Sequence, residues 1–475
     1  MEAPNTVLGD PVADLGTFKN IFAEDAAFRF REICSPEGRV RAGICFFDGM
    51  ASGSLVAESI AEPVASFVCD GKELRAEQVF SVVTNCELKR EDSVEKLISA
   101  VMYGDTLLFV PGGAFAVGTK NWLKRTLTEP RGETVIRGPR EGFIESALDN
   151  VSMIRRRLKT RELRVEMVSL GEKANNFIYI CSIRGVADEK VRCELKRRIA
   201  AMTMTDILES NYIAEQIRDC PHSPFKTVGT TERPDSVAAK LLEGRVAVVV
   251  DGSPCVLTVP YLFVESFQSG EDYYTGNIFS SVNRAVRFVG TALSACIPAF
   301  YIAIVNYHQE MLPTVLLLSI SKARQGVPFP TILELLLLLA AFDILREASL
   351  RMSNNIGQAL SVVGALIIGQ SAVEAKFVSA PVVIIVALTG TTSMLASPMM
   401  GALVCVRSFL LAMTAAFGLT GFTVGLVLLG AYLCSLSSFG VPYLSFELLP
   451  DGLIRRRWGK LRYRKLFGAG RRDGK

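Results

Sequence analysis

VRFVGTALSACIPAFYIAIVNY, residues 286–307, divides the chain in two. At 1.5 Å per residue this run is long enough to cross about 30 Å of hydrocarbon, and Arg284 and Arg287 flank its start. Before it the sequence is polar and mixed. From 288 to 449, six Lys/Arg balance six Asp/Glu in a stretch that is otherwise overwhelmingly apolar. From 450 onward ten basic residues face only Asp451 and Asp473. The net charge of +4 therefore hides an α-helical polytopic membrane domain (284–449) and a basic tail (450–475).

Further apolar runs fill the membrane half. FVSAPVVIIVALTGTTSMLAS (377–397) and SFLLAMTAAFGLTGFTVGLVLLGAYL (408–433) are long enough to span, and TILELLLLLAAFDI (331–344) is marginal. MLPTVLLLSIS (311–321) and IGQALSVVGALIIGQSA (356–372) are shorter and read as re-entrant or interfacial. The start, MEAPNTVLGDPVADLG, has neither a basic nor an apolar signal region, which places the polar half in the cytoplasm. With the basic tail on the same side, the number of crossings is even. Spans at 286–307, 331–346, 377–397 and 408–433 meet that condition. They put Arg346, Arg351 and Lys376 inside and Arg407 in a short outer loop. Six crossings would also be even.

The polar half reads as two small α/β subdomains, 1–134 and 135–283. SVEKLISAVMYGD (93–105) predicts a helix closed by Gly104, and TLLFVPGGAFAVGT (106–119) two strands around a Pro-Gly-Gly turn. VAAKLLEGRVAVVVDGSPCVLTV (237–259) repeats that order, a weak internal likeness. Between them, VIRGPREGFIESALDNVSMIRRRLK (135–159) predicts a connecting helix over 141–158. Glu141 and Glu145 fall in its first turn and Arg155, Arg156 and Arg157 in its last, as the helix dipole favours. Arg137, Gly138, Pro139, Arg140 and Glu141 form the candidate joint between the subdomains. Arg137 and Arg140 could instead hold an anion near the helix start.

Little in the chain suggests catalysis. The eleven cysteines lie far apart without CxxC or metal-ligand spacing, and His222 and His308 are the only histidines. There is no GxxxxGK, HExxH or GxSxG. The reading is of a protein that is not an enzyme, with no cofactor and no metal. Ionisable residues inside membrane spans are the default functional candidates. Here they are Glu334, Asp343, Arg346, Glu347 and Arg351, with Glu347 and Arg351 spaced as an i,i+4 ion pair. The tail follows a membrane span directly, which favours anionic lipid headgroups over nucleic acid as its partner.

GVPFPTILELLLLLAAFDILREASLRMSNNIGQALSVVGALIIGQSAVEA (326–375) resembles the signature segment of the A-type subunits of the GerA spore germination family. YLCSLSSFGVPYLS (432–445), VIRGPREGFIES with IRRRLK, LLEGRVAVVVDGSP and FQSGEDYY are similar to that family in the same order, so the resemblance covers about 135–450. The chain departs from the family in three places. Its LLLLLAAF run lacks the usual acidic residue, Met352-Ser353 stands where a proline is usual after REAxxR, and Ser437 occupies the place of a frequent arginine. The resemblance implies an integral protein of the spore inner membrane, assembled with B-type and C-type subunits into a nutrient germinant receptor. It further implies a homo-oligomer that conducts monovalent ions when nutrient is sensed. A SpoVAF-like accessory channel, or a non-conducting scaffold that relays the signal, is the alternative, and FQSGEDYY favours the receptor subunit.

Overall fold

Alternating side chains along two sets of strands decide the architecture of the polar half. The computed structural model describes residues 6–69, 73–120, 130, 132–133, 135, 137–171, 176–202, 207–351 and 369–444. Helix α1 (Pro11–Ile21) precedes β1 (Phe28–Cys34) and β2 (Val40–Phe47), and α2 (Val94–Met102) separates β3 (Leu88–Arg90) from β4 (Thr106–Val110) and β5 (Gly113–Val117). These strands form one antiparallel sheet in the order β1-β2-β4-β5-β3. Successive residues of a strand point to opposite faces. Ile44, Leu108 and Val110 thus join a core with Ile60 and Val64, while Cys45, Phe47 and Phe109 join another with Leu15, Phe18 and Leu97.

Residues 163–259 build the same arrangement again. Helix α3 (Ala147–Arg157) leads into β6 (Leu163–Leu170), β7 (Asn176–Ile183) and β8 (Gly229–Thr231), and α4 (Pro234–Leu242) into β9 (Val246–Val250) and β10 (Val256–Val259). Their order is β6-β7-β9-β10-β8, the same path as in the first sheet. Every residue of β9 is buried because both faces are covered, which is why the strand reads Val-Ala-Val-Val-Val. Val246 and Val248 pack with Leu195 and Ile213, and Ala247 and Val249 with Val151 and Leu241.

The connecting helix expected over 141–158 is shorter. Ser146, in extended conformation, caps α3, its hydroxyl accepting from the Asp149 N–H at 3.5 Å, so the helix cannot reach further back. Glu141 and Glu145 therefore precede it, and Asp149 is the acid in the first turn.

Contacts give each helix of the membrane half a direction. Helix α5 (Asn277–Ile302) continues in a π turn to Tyr307. It is followed by α6 (Thr314–Arg324), α7 (Thr331–Arg351), α8 (Ala380–Ser393) and α9 (Met400–Ser435). Among the described residues, Asn277–Tyr307 and Met400–Ser435 are the two helices long and apolar enough to cross a membrane by length and composition. Gly290 lies against Leu395, and Ser294 Oγ donates to the Thr389 carbonyl at 3.3 Å, so α5 and α8 are antiparallel. Glu334 meets Ser379 and Phe342 meets Gly390, so α7 and α8 run the same way. Lys376 consequently sits beside Gly326 at the end remote from the sheets, not with Arg346 and Arg351 as expected.

Helix α9 differs most from expectation. The single span expected over 408–433 is folded at Gly418, whose φ of +63° and ψ of −140° suit glycine. In a straight helix residues 413 and 421 would be about 12 Å apart and 410 and 425 about 22 Å. Instead a Cβ at Gly421 would strike Met413, and one at Gly425 would lie 3.0 Å from Leu410 Cδ2. The legs 400–417 and 419–435 are thus antiparallel, and these glycines let them approach closely. Tyr307 packs on Gly418 and donates to the Ala415 carbonyl, marking the turn as the far end. Arg407 accordingly lies within the first leg, about 10 Å along it from Met400, rather than in an outer loop. The expected segment 356–372 lies outside the described residues except for 369–372, and so does the basic tail, 450–475.

Candidate functional site

Three contacts seat the second sheet on the near end of the bundle. The first is Asp272, in the short 3₁₀ turn Gly270–Tyr273 just ahead of α5. Its Oδ2 accepts from Arg284 Nε at 2.8 Å and Arg287 Nη1 at 2.9 Å, and its Oδ1 from Arg287 Nη2 at 3.0 Å. Asp272 is 2% exposed and Arg284 3%. Burial alone would raise the carboxyl's pKa, but the bonds from Arg287 and Arg284 outweigh it and hold it below the ordinary value. Nothing in FQSGEDYY marks Asp272 out by sequence alone, and Arg284 and Arg287 read there as flanking charges, whereas the structure turns both inward.

The second contact is the returning end of α9. Leu436 and Tyr443 enter a core with Phe225, Tyr261 and Phe267 of the polar half. The two-residue strands β11 (Ser437–Ser438) and β12 (Val441–Pro442) pair there. Ser438 Oγ accepts from Tyr261 N–H at 3.0 Å and donates to the Thr227 carbonyl at 2.6 Å, and Tyr432 Oη bonds Ser223 Oγ at 2.9 Å. The third contact is the link 394–399, which lies against Phe263–Phe267. Between these contacts is a cavity of about 630 Å³, whose walls include Glu133, Arg233, Lys240, Tyr273, Leu395 and Pro398.

The predicted membrane residues fall into three environments. Glu334 is fully buried, and its Oε2 accepts from the Ser379 N–H (2.9 Å) and hydroxyl (2.8 Å), so it bonds the residue that caps α8. Asp343 pairs with Arg407 Nη2 at 2.6 Å and with Arg346 Nη1 at 3.3 Å, joining α7 to the first leg of α9. Arg407, expected in a short outer loop, is 5% exposed. Glu347 and Arg351 pair at 2.8 Å on the exposed surface of α7. Two of the predicted acids therefore face interior partners on different helices, as their spacing of nine residues requires.

The two sheets meet through a neighbouring residue of the predicted joint. Arg155, 1% exposed, donates to Asp25 Oδ2 at 2.5 Å and lies over the Phe47 ring at 4.0 Å. Burial pushes the Asp25 carboxyl up more than Arg155 lowers it. Glu141 accepts from Arg156 (2.8 Å) and Arg157 (2.6 Å). Arg137 and Arg140 are exposed, Gly138 abuts Tyr274, and the Pro139 carbonyl accepts from Arg233 Nη2 at 3.1 Å. Positions 137–140 thus lie against Tyr274 and Arg233 of the second unit, and Arg155 makes a buried contact between the sheets beside the Ala26 N–H to Val165 carbonyl bond and the Glu24 pairs with Arg164 and Arg184.

The family model described as Bacillus/Clostridium GerA spore germination protein matches residues 16–466. Spore germination protein KA of Bacillus subtilis (strain 168) is 40% identical over 435 residues, 89% of this chain and 80% of its own length. Spore germination protein A1 of the same organism is 34% identical over 416 residues, 87% of this chain and 86% of its own. Among solved structures, the N-terminal domain of the A subunit of the Bacillus megaterium spore germinant receptor GerK3 is 25% identical. That match covers 55% of this chain and 99% of that one, with a TM-score of 0.42.

Proposed function

Because the chain belongs to the GerA spore germination family, we propose that it is the A subunit of a spore nutrient germinant receptor in the spore inner membrane. The observation that carries this reading is the extent of the match, which runs through both sheets and the whole described bundle. In this reading B-type and C-type subunits are its partners, copies of the chain assemble, and the assembly passes monovalent ions when nutrient is sensed. The polar half and the basic tail lie on the core side, with the two legs of α9 counted as separate crossings. The Asp343–Arg346–Arg407 cluster is the element whose rearrangement gates the bundle, and Glu334 holds the far end of α7 against α8. Glu347 and Arg351 act at the exposed face of α7, and the loop 137–141 is braced within the second unit by Tyr274, Arg233, Arg156 and Arg157.

Spores lacking the chain, challenged with a panel of amino acids and sugars, test the role. Loss of germination and of early cation release to at least one nutrient, restored by complementation, is the expected result. Unchanged responses to every nutrient that triggers the parent would sink it. One observation favours a non-conducting scaffold instead, since Glu334 and Asp343 are already bonded to other helices. Cation conductance of purified protein in liposomes separates the two readings.

A further inference from the structure

We propose that Arg137 and Arg140 dock the second unit onto anionic lipid headgroups of the leaflet that faces it. Helix α5 opens the membrane half of the chain. Ile278, Phe279, Val282, Val286 and Val289 are exposed, and four of them, at 278, 282, 286 and 289, form one helical stripe. Ser280 and Arg284 are buried on the other face, and Arg287 also reaches the carboxylate of Asp272. The helix therefore enters the membrane with an apolar face outward and with both of its flanking arginines turned away from the lipid. Near a membrane surface, positive side chains are ordinarily the ones that meet anionic headgroups.

Residues 137–140 supply that charge from another part of the sequence. Gly138, at φ +121°, is pressed against the Tyr274 ring, and any Cβ there would lie 2.6 Å from Tyr274 Cδ2. The Pro139 carbonyl is fixed by Arg233, so the loop is held at both middle positions. Tyr274 is 41% exposed and lies four residues ahead of Ile278. Its hydroxyl is anchored by Asp235 at 2.7 Å, an amphipathic placement common at membrane interfaces. Val135 and Tyr274 share one cavity with Leu395 and Pro398, which puts this loop level with the near end of the bundle. Arg137 and Arg140 thus flank a rigid Gly-Pro beside the point where an apolar helix enters lipid. Their exposure, their charge and the continuity with the apolar face of α5 single out headgroups as the occupant.

Full-length protein in nanodiscs tests this by hydrogen exchange at residues 137–143. Discs of phosphatidylcholine alone are compared with discs containing phosphatidylglycerol. Two basic side chains at an anionic surface correspond to protection on the order of tenfold or more. That protection should vanish in R137Q/R140Q and persist in R137K/R140K. Exchange that ignores lipid charge, or protection that survives R137Q/R140Q, would overturn the proposal. So would inorganic phosphate reproducing the protection in neutral discs, since that would mark a site for free anion. If R137Q/R140Q misfolds, the lysine variant and the two lipid compositions still decide the matter.

Discussion

Between the first sheet (28–117) and the second (163–259) the path of the strands is the same, and the surroundings are not. The first is a closed unit with helices or helical turns on both faces and apolar cores on either side. The second also has two cores, but on its bundle side it carries buried charges in addition, namely Arg233, Arg245, Glu265 and Asp272. Arg245 pairs with Glu265 at 2.7 Å, Arg233 with Asp235 at 2.7 Å, and Asp272 with the two arginines of α5. A shared topology therefore sets the shape of a unit, while the residues at its rim set what it holds on to. Among the described residues, only the second copy is equipped to grip the membrane helices.

Removing the grip should have the largest effect. Asp272→Ala leaves Arg284 buried without its carboxylate, a change that typically costs about 3–5 kcal/mol. Denaturation of the protein in nanodiscs measures it, and a loss below about 1 kcal/mol would mean that the clamp is not what seats the bundle. Acid should mimic the substitution. The folded pKa of Asp272 lies below its ordinary value, so its contribution is complete above about pH 4. It is lost as pH falls further, through the folded value. In Asp272→Ala that acid-induced decline should shrink.

The contact between the sheets comes next. Arg155→Met strands Asp25 in a site that already disfavours its charge, and should destabilise the chain by about 3 kcal/mol. Replacing Asp25 as well, in Arg155→Met/Asp25→Leu, should recover much of that loss, because two apolar side chains can fill the space of a buried pair. A double-mutant cycle with no recovery would contradict the assignment. Gly418→Ala should cost about 1–3 kcal/mol, since it forces alanine into a strained backbone region against Tyr307. The fall should be absent for Gly430→Ala, where a Cβ meets nothing. In the first unit, Glu32→Ala removes the half-exposed pair with Lys19 and should change stability by less than about 1 kcal/mol.

How much of this was legible in the sequence depends on the range of the interaction. The helix-then-hairpin units at 93–119 and 237–259 were legible because period, Gly104 and Gly244 are local signals, and their strands form where expected. Arg155 could also have been found. In a run of three arginines it alone shares the stripe of Leu148, Val151 and Leu158, the positions that face the core. The fold of α9 was hidden, because hydropathy records length and apolarity but not direction. A single glycine among several gives no sign that it reverses the chain. Asp272 escaped for a related reason, since its arginines lie twelve and fifteen residues on, beyond the i,i+4 spacing of one helix.

The reversal at Gly418 also bears on how the protein is made. It returns the chain to the side it left, so that Ser437 and Ser438 can complete the second unit by bonding Asp219 and Thr227, more than 200 residues earlier. A ribosome delivers those partners only after every helix of the bundle has emerged. The bonds that the second unit makes to this hairpin can therefore form only after the bundle's helices have been made, whereas the strands of the first unit need nothing beyond Val117. Each molecule's own last hairpin then certifies that its membrane half was threaded correctly.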